Sequence, residues 1–231
     1  MNRAIILAGG TGTRLGANLP KQYIEVNNKT ILMYAVEAIA KSDIITEFVI
    51  VADTSFHVQI QDELARLDLS GKFSGFALPG KNRQLSIYNG LLHMKERALE
   101  DDLIMIHDGA RPLLSAALIS ACFVSAQNTD GALPVLPMKD TVYYSEKKVS
   151  VDKLLDRSKI FAGQAPEVFR YGKYLQANEA LLPDKIMQIN GSTEPAILAG
   201  MDIAILPGDE NNFKITTQAD LERFVTYCNK K

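Results

Sequence analysis

Cysteine is scarce in this chain. Among 231 residues only Cys122 and Cys228 carry a thiol, and both fall in amphipathic helical patterns. Two such thiols make neither the disulfide framework of a small secreted protein nor a metal knuckle. We therefore expect a reducing, cytoplasmic compartment.

Long apolar runs and blocks of like charge are also missing. No apolar run approaches the ~18 residues of a membrane-spanning helix, and no cationic leader precedes the first strand-like run. The net charge is −2, without five like charges in a row, so bulk electrostatics indicate neither nucleic-acid nor membrane binding. With 47% hydrophobic residues, the chain can bury a full core. We expect a soluble protein.

Strand-like and helix-like segments alternate along most of the sequence. Short, near-continuous apolar runs predict strands at 4–8, 47–53, 75–80, 103–108, 131–137 and 202–206. Helical patterns cover 31–42, 55–67, 83–99 and 115–128 between them, and further ones lie at 173–182, 194–201 and 217–228. Such strands are typical of a parallel sheet covered on both faces. The sequence predicts one α/β domain over 1–231, with a Rossmann-like, three-layer, mostly parallel sheet.

The alternation breaks between residues 138 and 160. There "MKDTVYYSEKKVSVDKLLDRSKI" alternates polar and apolar residues around the charged turn "SEKK", which predicts a two-stranded hairpin. A lone ribbon is marginally stable in water. We therefore expect a neighbour for it, most simply a second copy of the chain in a homodimer.

A glycine-rich loop follows the first strand in "AIILAGGTGTRLGANLPKQY". Gly9, Gly10 and Gly12 let the backbone approach a ligand closely. Arg14 and Lys21 add positive charge to the same place. This combination indicates a phosphate chain as the ligand.

Two common glycine loops fit poorly. No glycine precedes Lys-Ser or Lys-Thr, so the P-loop is excluded. The dinucleotide fingerprint needs a third glycine where this chain has Leu15, although Asp53 imitates the ribose-binding acid of that motif. A nicotinamide- or flavin-dependent oxidoreductase stays an alternative at this point.

The loop is similar to the signature loop of the CTP-dependent cytidylyltransferases. Further segments resemble that family in the same order along the chain: "GKNRQLSIYNGL", "IHDGARP", "KDT", the region of Arg157, "GQAPEVF" and "NFKITTQADL". One branch of the family activates 2-C-methyl-D-erythritol 4-phosphate for isoprenoid synthesis, and a sister branch makes CDP-ribitol and related CDP-alditols for cell-surface polymers. The resemblance implies a fold of the nucleotide-diphospho-sugar transferase type.

The resemblance also implies a reaction and its residues. A phosphate oxygen of the acceptor attacks the α-phosphorus of CTP, and pyrophosphate leaves; since the nucleophile is already an anion, positioning and charge neutralisation suffice. Catalysis is then expected from Arg14, Lys21 and Lys214. Nucleotide binding is expected from Ala8, Gly9, Gly10, Gly12, Thr13, Gly80, Arg83, Ser86 and Asp108. Asp108 would hold Mg²⁺, with Asp209 as a further candidate ligand. Acceptor binding is expected from Arg111 and from Thr141 and Arg157 of the hairpin, reaching into the partner subunit.

Two departures bear on the acceptor. The isoprenoid branch usually has a Thr-Asp-Asp/Glu-Ala segment, where this chain has Glu194 and Pro195 in place of the two acids. That branch also commonly has an aspartate just before its Asn-x-Lys, where this chain has Asn211. The departures favour an alditol phosphate such as ribitol 5-phosphate, with methylerythritol phosphate as the alternative.

Overall fold

The computed structural model describes residues 1–10 and 19–230. The strands of the first half are β1 (Asn2–Leu7), β2 (Glu25–Val26), β3 (Lys29–Thr30), β4 (Glu47–Val51), β5 (Phe73–Ala77) and β6 (Leu103–Asp108). Those of the second half are β7 (Gly131–Pro137), β8 (Val142–Tyr144), β9 (Lys153–Leu155), β10 (Phe161–Gly163), β11 (Glu167–Arg170) and β12 (Ile203–Pro207). The helices are α1 (Ile31–Ala40), α2 (His57–Arg66), α3 (Arg83–Met94), α4 (Ala116–Ser125), α5 (Tyr171–Glu179), α6 (Glu194–Leu198) and α7 (Gln218–Asn229).

Among the described residues, the main sheet has eight strands. From one edge, β5, β4, β1 and β6 run parallel, and β11 then lies antiparallel between β6 and β7. β10 pairs antiparallel with the far end of β7, and β12 pairs parallel with it. Since β12 and β11 both pair with residues 131 and 132, they lie on opposite sides of β7. The antiparallel β11 was not predicted, because "GQAPEVF" is too short to show a period.

Helices cover both faces of the sheet. Ala4 and Ile6 of β1 belong to a core shared with α1, α2 and α4, while Ile5 belongs to a core shared with α3, α5 and α6. Successive side chains of a strand point to opposite faces, so both faces are buried. This confirms the predicted three-layer, mostly parallel sheet. The predicted strand and helix boundaries differ from the observed ones by a few residues, mainly where a turn or short helix ends the segment.

The predicted hairpin is present as a separate small sheet. β8 and β9 pair antiparallel, Val142 opposite Leu155, and belong to no other sheet of the described chain. Most of their side chains are exposed, including Tyr143 and Leu154. We call residues 138–160 the arm.

Among the described residues, no helix is both long enough and apolar enough to cross a membrane.

Candidate active site

A cavity of about 450 Å³ opens where β1 and β6 end, at Leu7 and Asp108. Parallel strands present their ligand sites beyond their carboxyl ends. The cavity is lined by Leu7, Gly9, Gly10, Lys21, Gln22, Gly80, Lys81, Asn82, Arg83, Ser86, Asp108, Ala110 and Lys214. Eight of these are residues that the sequence placed in the site, although they come from four separate segments.

Two side chains fix the start of the glycine loop by hydrogen bonds to its backbone carbonyls. Nε2 of Gln22 donates to the carbonyls of Ala8 (2.6 Å) and Gly10 (2.7 Å), and the Tyr23 hydroxyl donates to Ala8 at 3.0 Å. A side chain at Gly9 would collide with Pro79, whose Cβ would lie 2.4 Å from the added Cβ. The loop therefore requires glycine there, and Gly10 stands with open space beside it. Gly12, Thr13 and Arg14 lie outside the described residues.

A second tight turn, just before α3, also lines the cavity. A Cβ on Gly80 would lie 2.3 Å from Leu85 Cβ, so the turn also requires glycine. The Ser86 hydroxyl accepts from the Gly80 amide at 3.0 Å and donates to the Asn82 carbonyl at 2.9 Å. Ser86 thus shapes this turn as well as lining the cavity.

Asp108 lies among three cations. Its Oδ1 accepts from Arg83 (Nη2 at 3.0 Å), and its Oδ2 lies 2.9 Å from Lys214 Nζ and 3.6 Å from Arg111 Nε. Burial alone would raise the pKa of Asp108, but Arg83, Lys214 and Arg111 outweigh it and hold the pKa well below its usual range. The cavity therefore contains a carboxylate that stays anionic at neutral pH.

Arg83 makes a second polar contact that the sequence did not indicate. Its Nη1 donates to the Ser192 hydroxyl at 2.7 Å, and Ser192 in turn donates to Glu167. Burial raises the pKa of Glu167, although Arg83 and Ser192 pull it down. Glu167 stands inside the quoted "GQAPEVF" segment, and a lone acid in an apolar stretch was the only signal for it.

Arg111 lies beside the cavity rather than in its lining. Its Nη1 donates to the Asn212 carbonyl at 2.7 Å, and burial lowers the pKa of the guanidinium. Asn212 is fully buried and donates to Ala165. These contacts tie the end of β6 to the segment that carries Lys214.

Five of the predicted residues that the structure describes are not in the cavity lining: Ala8, Arg111, Thr141, Arg157 and Asp209. Thr141 and Arg157 are exposed on the arm, where Arg157 donates to the Lys139 carbonyl at 2.6 Å. Asp209 accepts from the Asn211 amide at 2.8 Å, as a turn-forming carboxylate does. Asp53 is likewise used locally, since it accepts from the amide and the hydroxyl of Ser55.

The described residues include no group of three or more His, Cys, Asp or Glu side chains that could hold a metal ion. Asp108 is one anionic carboxylate at the cavity wall, with further lone pairs on each oxygen. Mg²⁺ often takes one or two carboxylates together with substrate phosphate oxygens. The donor set fits such a shared site and does not fit an all-protein metal cage.

Comparison with solved structures shows the fold. The chain matches 4-diphosphocytidyl-2C-methyl-D-erythritol synthase from Anaerococcus prevotii with a TM-score of 0.84, at 23% identity, over 99% of this chain and 96% of that one. It matches 2-C-methyl-D-erythritol 4-phosphate cytidylyltransferase from Francisella tularensis with a TM-score of 0.79, at 24% identity, over 99% and 98% of the two chains.

Sequence comparison shows the family. Residues 3–229 match the family model described as 2-C-methyl-D-erythritol 4-phosphate cytidylyltransferase, or IspD. A protein of that name from Clostridium acetobutylicum is 32% identical, over 100% of this chain and 98% of its own. Ribitol-5-phosphate cytidylyltransferase from Lacticaseibacillus paracasei is 27% identical, over 100% and 99%. The chain therefore belongs to the IspD family and is a CTP-using cytidylyltransferase.

Proposed function

We propose that the enzyme transfers CMP from CTP to an alditol phosphate, with ribitol 5-phosphate as the first candidate, and releases pyrophosphate. The observation that carries the transfer chemistry is the position of Asp108, Lys214 and Arg83 together in the cavity lining, which also includes Lys21, Gly9 and Gly10.

The protein's part in this reaction is to hold two anions in line and to neutralise developing charge. The acceptor's phosphate needs no base, since it already carries the attacking oxygen as an anion. Lys21 and Lys214 supply positive charge for the triphosphate and for the transition state, where electrostatic stabilisation is strongest. Arg14 is proposed to act with them, and Gly12 and Thr13 to complete the loop around the phosphates.

The nucleotide is proposed to lie between the two glycine turns. Gly9 and Gly10 line the cavity on the side of the first turn, and Gly80, Arg83 and Ser86 line it on the side of the second. Ala8, which precedes the first turn, is proposed to contribute through its backbone, so that the chain can approach the cytosine and ribose closely. Asp108 would bind Mg²⁺ together with phosphate oxygens, and the ion would supply Lewis-acid stabilisation of the phosphoryl group. Asp209 would become a Mg²⁺ ligand only if its carboxylate released the Asn211 amide.

The preference for an alditol phosphate rests on the first two residues of α6. In place of two acids, the chain has Glu194, which accepts from the Asn190 amide at 2.8 Å, and Pro195, which is buried. Neither of them lines the cavity in the described chain. The relative named ribitol-5-phosphate cytidylyltransferase covers this chain completely. The family model and the relative at 32% identity support methylerythritol phosphate as the second candidate.

We also propose a two-fold homodimer in which each arm enters the partner's acceptor site. The arm exposes Tyr143, Tyr144 and Leu154, which favours a protein neighbour over water. Thr141 and Arg157 lie on this arm outside the described lining of their own cavity. In the partner's site, Arg157 would clamp the acceptor phosphate in a two-pronged contact, beside Arg111.

A pyrophosphate-release panel tests the acceptor. The purified enzyme with CTP and Mg²⁺ is given ribitol 5-phosphate, other alditol phosphates, glycerol 3-phosphate or methylerythritol 4-phosphate, with UTP and ATP as nucleotide controls. We expect the highest kcat/KM with an alditol phosphate. A higher kcat/KM for methylerythritol 4-phosphate would overturn the alditol assignment.

A further inference from the structure

Arg83 is held on two sides, by the Asp108 carboxylate and by the Ser192 hydroxyl, which is itself bonded to Glu167. On one side its Nε and Nη2 donate to Oδ1 of Asp108 at 3.2 and 3.0 Å. On the other side its Nη1 donates to Ser192 at 2.7 Å, and the Ser192 hydroxyl donates its proton to Oε2 of Glu167. Ser192 therefore links the guanidinium to a second carboxylate.

The second group is built into the core. Ser192 is 1% exposed and Glu167 is 8% exposed. The Ser192 carbonyl accepts from the Tyr174 hydroxyl at 2.7 Å, and Tyr174 stacks on Phe169 with ring centroids 4.0 Å apart. Glu167 itself begins β11, in the middle of the main sheet. Because Tyr174 holds the Ser192 backbone and Glu167 holds its hydroxyl, Ser192 presents its oxygen to Arg83 in a single orientation.

We propose that Glu167 is a positioning residue for nucleotide binding, which acts through Ser192 to hold Arg83 at the cavity wall independently of Asp108. The inference rests on the proposed roles of Arg83 in framing the nucleotide and of Asp108 in holding Mg²⁺. Neither Glu167 nor Ser192 lines the cavity in the described chain.

The reason for two anchors follows from the two roles of Asp108. If its carboxylate held a divalent cation, its attraction for Arg83 would weaken, because the cation would be the largest local charge. An arginine with that single partner would lose its orientation at the moment the nucleotide arrives. The link through Ser192 keeps the guanidinium in place, and a pre-organised side chain loses less freedom on binding.

The test measures the Kd of CTP with Mg²⁺ and without any acceptor, by calorimetry. Glu167→Met removes the acceptor oxygens at similar length, Glu167→Gln keeps one, and Ser192→Ala breaks the link. Glu63→Met is the matched control, because Glu63 is also 8% exposed and also accepts from a hydroxyl, Thr30 Oγ1 at 2.8 Å, without lining the cavity.

We expect Glu167→Met and Ser192→Ala each to raise the Kd about tenfold, the effect of losing one charge-assisted hydrogen bond. Glu167→Gln should stay within about threefold, since its amide oxygen still accepts from Ser192. The double variant Glu167→Met/Ser192→Ala should be no weaker than either single one, because both break the same link. Glu63→Met should lower the melting temperature but leave the Kd of CTP unchanged.

Two results would overturn the proposal. One is CTP binding within twofold of wild type for Ser192→Ala, which decides the matter even if Glu167→Met fails to fold. The other is an equal loss of CTP affinity in Glu63→Met, which would mean general loosening of the fold. A wrong acceptor assignment leaves these measurements untouched, since no acceptor is present in them.

Discussion

Nζ of Lys214 lies 2.9 Å from Oδ2 of Asp108, at the end of β6. The lysine reaches this position because the segment before α7 returns to the site, where the amide of Ile215 donates to the Ala110 carbonyl at 2.9 Å. A cation and an anion of the proposed machinery thus neutralise each other before any triphosphate is bound. Substrate binding must compete with this pair, which makes the charges around Asp108 the natural targets for experiment.

Lys21→Ala should lower kcat strongly. Lys21 lies in the cavity lining, and its charge should act most strongly on the transition state, so we expect a loss of roughly 10²–10³-fold. Steady-state pyrophosphate release measures this, with the melting temperature as a check on folding. Lys95→Ala, which removes an exposed lysine paired with Glu179 at 3.4 Å, is the control and should turn over normally. Normal turnover in Lys21→Ala would remove Lys21 from the catalytic set.

Asp108→Asn should change the response to metal. Asparagine keeps the size of the side chain but loses the charge, so we expect the Mg²⁺ concentration at half-maximal rate to rise by roughly tenfold or more, with lower activity. If Asp108 only forms a turn, asparagine should serve nearly as well, and the Mg²⁺ titration would be unchanged. Asp209→Asn, run in parallel, should titrate like wild type; a raised Mg²⁺ requirement there would make Asp209 a second ligand.

The arm can be tested by mixing two defective subunits. Lys21→Ala and Arg157→Ala should each be nearly inactive alone. If each arm serves the partner's site, a mixed dimer has one site with both lesions and one with neither. With random pairing half of the dimers are mixed, so activity should approach about a quarter of wild type.

The same mixing experiment has a clear negative result. If the arm serves its own subunit, no mixed dimer contains an intact site, and activity stays at background. A monomer at assay concentration, measured by light scattering, would contradict the shared site before any mixing.

The start of α7 should give a pH-dependent contribution to stability. Burial alone would raise the pKa of Asp220, but hydrogen bonds from Thr216 and Thr217 outweigh it and lower the pKa to about 2. Because the folded pKa lies below the unfolded value of about 3.9, the contribution is fully present above pH 4 and is lost as the pH falls towards 2. Asp220→Ala should therefore cost about 1–2 kcal/mol of unfolding free energy at pH 7.

Urea unfolding of the wild type and of Asp220→Ala at pH 7, 5, 4 and 3 measures the difference between their unfolding free energies. It should stay constant down to pH 4 and shrink below it. Asp62→Ala on the exposed side of α2 is the control, and no comparable difference is expected there. A difference for Asp220→Ala that persists undiminished at pH 3 would contradict the assignment to the hydrogen bonds from Thr216 and Thr217.

Local sequence determined most of the longer elements of this protein and the chemical types in its site. Short apolar runs predicted β1, β4, β6 and β7, because a strand buried on both faces has few alternatives to continuous apolar residues. Alternation around a charged turn predicted the arm's hairpin. The glycine-rich loop after β1 was predicted from its composition, but the contact with Pro79 that requires glycine at Gly9 is a tertiary one.

Only the tertiary structure decided which groups meet. The insertion of β11 between β6 and β7 brings Glu167 towards the cavity, and no local pattern in a four-residue strand encodes its partner. The ion pairs of Asp108 with Arg83 and Lys214 and the link from Arg83 through Ser192 to Glu167 join residues far apart in the chain. Burial decides which of these residues pair, because a buried charge is costly unless the fold places a partner beside it. The sequence specified the charges, and the packing of the sheet and helices decided their pairing.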